Sequence, residues 1–403
     1  MKGMTRNITI NSNLVSLFYF AIFANAILGK IRVLEVILPI LILPILIKII
    51  RDKGVIKIFS EFNTPLILSL IILIIGTFSA FIFIHGFSLY PIKALLRYMS
   101  YFFVGFIVMN LNVELKMILK LVSIIIFLSL IYVLIQYFAL NDYRPRAFFI
   151  HSNHLAYFLT FSSIGLLYNK NLFKYKRRIY LIVFFAFVSI ALSKSLGGSI
   201  SFLLFIYYYL FFNLKGKIFK IVGVLAVFVI LFLNRGYLET RISSILTIDS
   251  DFILQKISSG NAGGSNSLVW RIVTWSNIIN ETKKNDNVVF GNGLESTSLI
   301  SPYILDNLHH DPHNSYVRIF AETGLVGLFL YLLTLFWLFK KLNKIKKIND
   351  LSSEDLMSIK GAIVLFFIFL LAQLSGNIIV NPVHMWFIIS YFTIIIKKHR
   401  VTI

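Results

Sequence analysis

The chain contains no cysteine, so no disulfide can staple an exposed segment and no thiolate can serve as a nucleophile or metal ligand. Acidic residues are also scarce: 17 Asp and Glu stand against 39 Lys and Arg in 403 residues, a formal net charge of +22. Strand-like alternation of polar and apolar residues is missing, which argues against a β-barrel. Outside the apolar runs no stretch is long enough to host a nucleic-acid-binding fold, so the basic excess does not point to phosphate-backbone binding. Any catalysis must use His, Arg, Glu, Asp or hydroxyl groups.

What the chain has in quantity is apolar sequence: 58% of residues are hydrophobic, mean hydropathy is +0.83 and 40 residues are Phe. A hydrocarbon core about 30 Å thick needs roughly 20 apolar residues per helix, and a chain in lipid must satisfy its backbone internally. The expected fold class is therefore all-α, a polytopic transmembrane helical bundle. Spans are read near 12–29, 33–50, 65–87, 95–110, 117–139, 153–168, 179–194, 196–213, 218–234, 316–339, 361–377 and 382–396, about twelve in all. The connection Ser193 to Gly198 is so short that 179–213 also reads as one broken membrane-buried region. The polar stretch 1–13 lacks a small-residue cleavage site, so the first apolar run reads as an anchor.

Positively charged flanks are held on the cytoplasmic side. Twelve spans put both termini inside, and alternate loops then carry Lys170, Lys174, Lys176, Arg177 and Arg178, or Lys340, Lys341, Lys344, Lys346 and Lys347. The short loops on the other face carry only Lys30, Arg32, Lys93, Arg97, Arg144, Arg146 and Lys194. The +22 charge thus reads mainly as topology and as contact with anionic membrane lipid. The chain divides into 1–234 with nine spans, a polar external region 235–315, and 316–403 with three spans.

Region 235–315 opens with a Ser/Gly-rich stretch, Ser258 to Ser265, that reads as a loop. Next, Leu268 to Thr282 has the spacing of an amphipathic helix, expected to lie flat with Trp270 and Trp275 at headgroup level and to hold Arg271 near lipid phosphates. After a turn at Gly291-Asn292-Gly293 comes His309-His310-Asp311-Pro312-His313-Asn314-Ser315-Tyr316, then Arg318, Glu322, Gly324 and Gly327 in the following span. Asn314 is a candidate N-cap, placing His313 at the positive end of that span's dipole, where neutral imidazole is favoured. Arg318 and Glu322, four apart, share a helix face: a structural salt bridge and a substrate contact are equally open. The glycines read as close helix packing. His309, His310, Asp311 and His313 read against a metal site, because adjacent histidines in an extended segment point opposite ways. Asp249 and Asp251 read as loop solvation, and His154 and His384 as structural histidines. Arg144 and Arg146 stand against the charge bias, which favours phosphate or sugar contact over lipid snorkelling.

These signatures resemble those of the O-antigen ligase and polymerase superfamily, bacterial integral membrane glycosyltransferases of envelope polysaccharide assembly. The resemblance rests on Arg146 to Asn153, Arg271 with Trp275, Gly291 to Leu294, and Pro312 to Tyr316 leading to Glu322 to Gly327, with the last the most specific. It implies a GT-C-like bundle in the bacterial inner membrane with a periplasmic active site. It also implies a donor glycan on undecaprenyl diphosphate, a second lipid-linked repeat unit as acceptor for the polymerase type, and lipid A core as acceptor for the ligase type. By the same resemblance His313 is the essential histidine beside the transferred sugar and Arg271 a ligand of the donor diphosphate. Arg144, Arg146, Lys194, Asn314, Tyr316, Arg318 and Glu322 complete the candidate substrate-binding set. Members often carry Ser-Arg-Gly where this chain reads Ser195-Leu196-Gly197, with Lys194 the nearest cation. No metal and no cofactor are expected. A chain-length regulator is a candidate partner, and nucleic acid is not.

Transfer from a diphosphate needs cations for the developing negative charge and a base for the acceptor proton. Arg suits bidentate phosphate contact and His titrates near neutrality. The polymerase is the preferred reading. A flippase or transporter of the same lipid fits the span count but not the clustering of polar residues at one external loop. A non-catalytic assembly partner is a third reading.

Overall fold

The computed structural model describes residues 12–28, 43–49, 89–213, 267–284, 286–297, 311–348 and 350–399, with isolated positions between them. The expected spans near 33–50, 65–87 and 218–234, and the stretch holding Asp249 and Asp251, lie wholly or largely outside the described residues. The described part is helical: α1 (Ser12–Leu28), α2 (Leu89–Asn110), α3 (Leu115–Leu134), α4 (Ser152–Tyr168), α5 (Lys176–Leu192) and α6 (Leu196–Asn213). These are followed by α7 (Ser267–Lys284), α8 (Ser315–Lys346), α9 (Ser353–Ser375) and α10 (Pro382–Lys398). Among the described residues the only ladder is two residues long, Ile304 opposite His309 and Leu305 opposite Leu308.

Among the described residues, five helical stretches are long and apolar enough to cross a bilayer: Pro91–Asn110, Leu115–Ala139, Leu196–Asn213, Ser315–Lys346 and Ser353–Ser375. The all-helical class and the multi-pass membrane character read from the sequence hold, with five such spans described against about twelve expected. The stretch 179–213 is two helices, α5 and α6, packed on each other across the turn 193–195. Helix α8 runs about two turns beyond the expected span, because nothing in Lys340 to Lys346 stops a helix and basic side chains favour the negative end of its dipole.

Helix α4 is buried along nearly its whole length and packs against α3, α5, α6, α9 and α10. A helix that is apolar on every side belongs in such a central position. Its hydroxyls turn back on its own backbone: Thr160 donates to the Ala156 carbonyl at 2.8 Å and Ser163 to that of Leu159 at 2.7 Å. Contacts at the helix ends sort into two groups. At one end Ser195 reaches Asn153, Ser315 reaches Gly376, and Asn381 reaches His154. At the other, Asn169 meets Tyr391 and Ser358, Lys397 donates to the carbonyls of Val108 and Leu111, and Lys398 pairs with Asp355. Within α2 to α6 and within α8 to α10, successive helices therefore alternate in direction, as loops short enough to join neighbours require.

Gly324 is not a packing glycine: at φ 67° and ψ −167° it breaks α8. In an unbroken helix the amides of Leu325 and Val326 would bond the carbonyls of Ala321 and Glu322. Here the segment 288–293 intervenes. The Ala321 and Glu322 carbonyls accept from the amides of Asn292 (2.8 Å) and Gly293 (2.9 Å), while the Leu325 and Val326 amides donate to the carbonyls of Val288 (2.8 Å) and Val289 (3.2 Å). Every one of these four backbone groups thus has a partner, which is the condition for a discontinuous helix near a membrane. The approach is close enough that a Cβ on Gly291 would lie 2.4 Å from the Glu322 carbonyl carbon, and one on Gly324 would lie 2.2 Å from the Val289 oxygen.

Gly324→Ala should therefore destabilise the protein by at least about 1–3 kcal/mol from backbone strain alone. Gly105→Ala, whose Cβ would meet Ile389 at 3.3 Å, should change stability far less. Thermal unfolding of the detergent-solubilised variants measures both, and equal melting temperatures would show that the break in α8 is not under this constraint.

Candidate functional site

The turn 311–314 is fixed residue by residue. Pro312 has its own φ set by its ring and restricts Asp311 before it to extended backbone. The Pro312 carbonyl accepts from the Trp275 indole at 2.7 Å, and the His313 amide donates to Asp311 Oδ1 at 3.1 Å. His313 sits at φ 51°, a left-handed conformation that non-glycine residues rarely adopt and that concentrates at functional sites. Asn314 forms the expected N-cap of α8, its Oδ1 accepting from the amides of Tyr316 (2.9 Å) and Val317 (3.1 Å). Tyr316 donates to the Leu370 carbonyl at 3.2 Å. Both side chains, read as candidate substrate contacts, are thus already engaged in holding the helix.

The His313 ring has aromatic neighbours from two other segments. Trp270 lies 5.7 Å away, centroid to centroid, and His151 lies edge-on at 6.2 Å. The row continues inward through His154, 5.4 Å from His151, to His384, 5.8 Å further on. His384 Nε2 meets the His154 carbonyl at 2.8 Å and its ring is packed by Phe149, Phe158 and Phe161, the surroundings of a structural histidine. Burial lowers the pKa of His151 from its ordinary value; Asp311 acts to raise it, while Arg146 and Arg144 add to the lowering.

Helix α7 differs from its expected role. Val269, Val273 and Ile278 are buried in the protein, and both tryptophans contact the 311–313 turn rather than lying free on one face. Arg271, next to Trp270, acts electrostatically on the Tyr157 hydroxyl, which also contacts Ser375 and crowds Gly197. The sequence motifs at Arg271, Gly197 and His313 therefore meet at one end of the bundle.

Loop 140–151 is shaped by Gln136, on a π-helical turn (Ile135–Ala139) that extends α3. Its buried side-chain oxygen accepts from the amides of Arg146 (3.0 Å) and Ala147 (2.7 Å). The Arg144 guanidinium donates to Ser152 Oγ at 3.1 Å and that of Arg146 to the Ile150 carbonyl at 3.1 Å. Lys194 lies over the Tyr143 ring, 3.2 Å from its centroid, which ties the 193–195 turn to this loop. These three candidate cations are held by neutral groups.

Arg318 and Glu322 are placed differently. The salt bridge between them is formed, Nε to Oε1 at 2.9 Å, and Arg318 also pairs with Glu295 and Asp311, each at 2.9 Å. Arg97 of α2 pairs with Glu295 as well, and Thr297 donates to Glu322 at 3.1 Å. Two guanidiniums and three carboxylates thus join α2, the 286–297 segment, α8 and the His313 turn. Beside this cluster a cavity of about 340 Å³ lies among α2, α8 and α10. Among the described residues its wall is apolar and aromatic, with Glu322 as the one acidic or basic residue, which is not the cationic lining that a diphosphate needs.

Sequence reasoning assigned no site role to Arg97, Glu295, Asp311 or His151. Arg97 carries the signal that marked Arg144 and Arg146, a cation against the loop charge bias. His151 sits inside the quoted Arg146 to Asn153 motif. Asp311 was weighed only as a metal ligand, and Glu295 follows Gly291 to Leu294 but offers no spacing that names its partners.

Burial pushes the Glu295 carboxyl up, but Arg318 and Arg97 outweigh it and hold the group at about 2, below its ordinary 4.5. A carboxylate depressed in the folded state contributes stability that is complete above its unfolded value and lost as pH falls through the folded one. Unfolding temperature should therefore decline between pH 4.5 and about 2 in the parent protein. Glu295→Gln should be less stable at neutral pH and lack that part of the decline; identical acid profiles would remove Glu295 from the linkage.

Residues 181–332 match the family model described as O-antigen ligase. The matched range runs from α5 into α8 and contains Lys194, Arg271, His313, Arg318 and Glu322, while Arg144 and Arg146 lie before it. Comparison with curated proteins gives no match. The family match supports an O-antigen ligase or polymerase type of function and a glycosyltransferase-like membrane enzyme. Through residues 181–332 the chain carries a domain of the O-antigen ligase/polymerase superfamily.

Proposed function

We propose that the protein is a surface-polysaccharide polymerase that moves a glycan from undecaprenyl diphosphate to a sugar hydroxyl of a second lipid-linked repeat unit. The work is done at the periplasmic face of a bacterial inner membrane, with both termini cytoplasmic. The observation that carries this reading is the convergence on His313. The imidazole is held in a left-handed turn against Trp270, beside Arg271 in sequence, and against His151 of the loop that bears Arg144 and Arg146.

In this reading His313 takes the acceptor hydroxyl proton as the new glycosidic C–O bond forms. The bond from the sugar to the diphosphate oxygen breaks, its electron pair leaves with the diphosphate, and the added charge is met by Arg271 with Arg144, Arg146 and Lys194. Arginine suits this role by its paired donors and its permanent charge. A single displacement of this kind inverts the sugar's configuration. The apolar cavity among α2, α8 and α10 is of a kind that accepts hydrocarbon. The family description itself favours one other reading, a ligase that transfers the glycan to lipid A core.

Purified protein in vesicles, supplied with lipid-diphosphate repeat units with or without lipid A core, separates these readings. Longer lipid-linked glycans without core are expected. Transfer only to core would establish the ligase, and lipid movement without a new glycosidic bond would establish a carrier. His313→Ala should lower turnover by about 10²–10⁴-fold, the usual worth of a general base. Arg271→Ala should weaken transfer with Arg271→Lys intermediate, and undiminished turnover in the His313 variant would end its role.

Orientation has its own test, because the native chain has no cysteine. A membrane-impermeant maleimide applied outside spheroplasts should label Lys284→Cys and not Asp350→Cys, both in otherwise native protein. The reverse pattern would invert the proposed topology.

A further inference from the structure

Asp311 touches both the ion-pair cluster and the turn that bears His313. Its Oδ2 pairs with Arg318 Nη1 at 2.9 Å and its Oδ1 accepts the His313 amide at 3.1 Å. The first contact fixes where the carboxylate sits, since Arg318 is itself buried and held by Glu295 and Glu322. The second closes a side-chain turn two residues long, which an Asp side chain spans and a longer one does not. That bond lies at the residue whose φ is 51°. Histidine enters the left-handed state more readily than most non-glycine residues but less freely than glycine, and the Asp311 bond adds to that preference at position 313.

We propose that Asp311 is a positioning residue for the His313 imidazole, acting through the direction of its Oδ1 rather than through its charge. Arg318 holds Asp311 through Oδ2, which leaves Oδ1 as an acceptor at a fixed place beside the His313 amide. The turn it closes presents the His313 ring between Trp270 and His151. The inference rests on the reading of His313 as the group that takes the acceptor proton, but its structural half stands apart from that reading.

Two substitutions separate direction from charge. Asp311→Asn loses the charge and keeps one acceptor oxygen, which serves the His313 amide in the same side-chain turn at the expense of the Arg318 contact, while Arg318 keeps Glu295 and Glu322. Asp311→Glu keeps the charge and its reach to Arg318 but carries the oxygen too far to close the turn. In the vesicle assay with lipid-diphosphate repeat units, Asp311→Glu should lose kcat by about 10²-fold, the scale of a misplacement near 1 Å, with KM nearly unchanged. Asp311→Asn, which can still close the turn, should retain clearly more kcat than Asp311→Glu. Any other pattern of the two overturns the proposal, including the reverse order that a role for the charge would give.

A second readout needs no substrate. A protonated imidazole beside an indole quenches its fluorescence, so acidification should quench the parent protein, and Trp270→Phe and His313→Ala should each remove that component. Asp311→Asn should retain it and Asp311→Glu should lose it. Full quenching in Asp311→Glu, or none attributable to Trp270 in the parent, overturns the proposed geometry. Retained turnover in His313→Ala would instead defeat the functional reading and leave the fluorescence result to judge the positioning role alone.

Discussion

The arrangement depends on one buried guanidinium. Arg318 contacts carboxylates from three places in the chain: Glu322 on its own helix, Glu295 in the segment that clasps the α8 break, and Asp311 in the His313 turn. A buried ion pair gains little over well-packed apolar residues, but removing one partner leaves an uncompensated charge at a cost of about 3–5 kcal/mol. Such a cluster therefore acts as a geometric constraint more than as a source of net stability. It obliges three segments, two of them outside regular helix, to meet at a single point, and Arg97 extends the obligation to α2 through Glu295.

The clasp and the cluster reinforce each other. Segment 288–293 enters the gap in α8 and exchanges four backbone hydrogen bonds with residues 321–326, which fixes the level at which Glu295 leaves the clasp. Asn292 adds side-chain contacts to Asn287 and Thr282, so the end of α7 is drawn into the same unit. Helix α7 then carries Trp270 and Trp275 to the 311–313 turn at a set height. The described residues 267–297 are thus tied to the helices by hydrogen bonds and ion pairs, with no disulfide needed.

Much of this was legible in the sequence, for identifiable reasons. Apolar runs of spanning length marked α1 to α6 and α8 to α10 within several residues at most ends, since length and hydropathy are local properties. Asn314 was readable as a cap because an N-cap needs only a short polar side chain before an apolar helix. The break at Gly324 was not readable. A glycine within a span signals either close packing or a change of backbone direction, and only the partner segment decides which. The partners of Arg318 were half legible: Glu322 by its spacing of four, Glu295 and Asp311 not, because nothing local ties an acid in a loop to a cation across a turn. The two tryptophans were read for lipid because amphipathic spacing reports an apolar face and not what covers it.

The same accounting of charge explains how one end of the bundle can hold two kinds of cation. Arg97 and Arg318 face carboxylates, and their field is largely cancelled at short range. Arg144, Arg146 and Lys194 are held by a serine hydroxyl, a backbone carbonyl and a tyrosine ring, and the one acid in their loop, Asp142, is bonded to a backbone amide. Neutral partners orient a cation without cancelling its charge, so Arg146 and Arg144 retain a positive field at His151. A field of one sign at a confined surface concentrates anions there. Cations held by neutral groups and cations held by carboxylates thus present different fields at the same end of the bundle, and Asp311, which shares Arg318 with Glu295 and Glu322, still acts on His151 to raise its pKa.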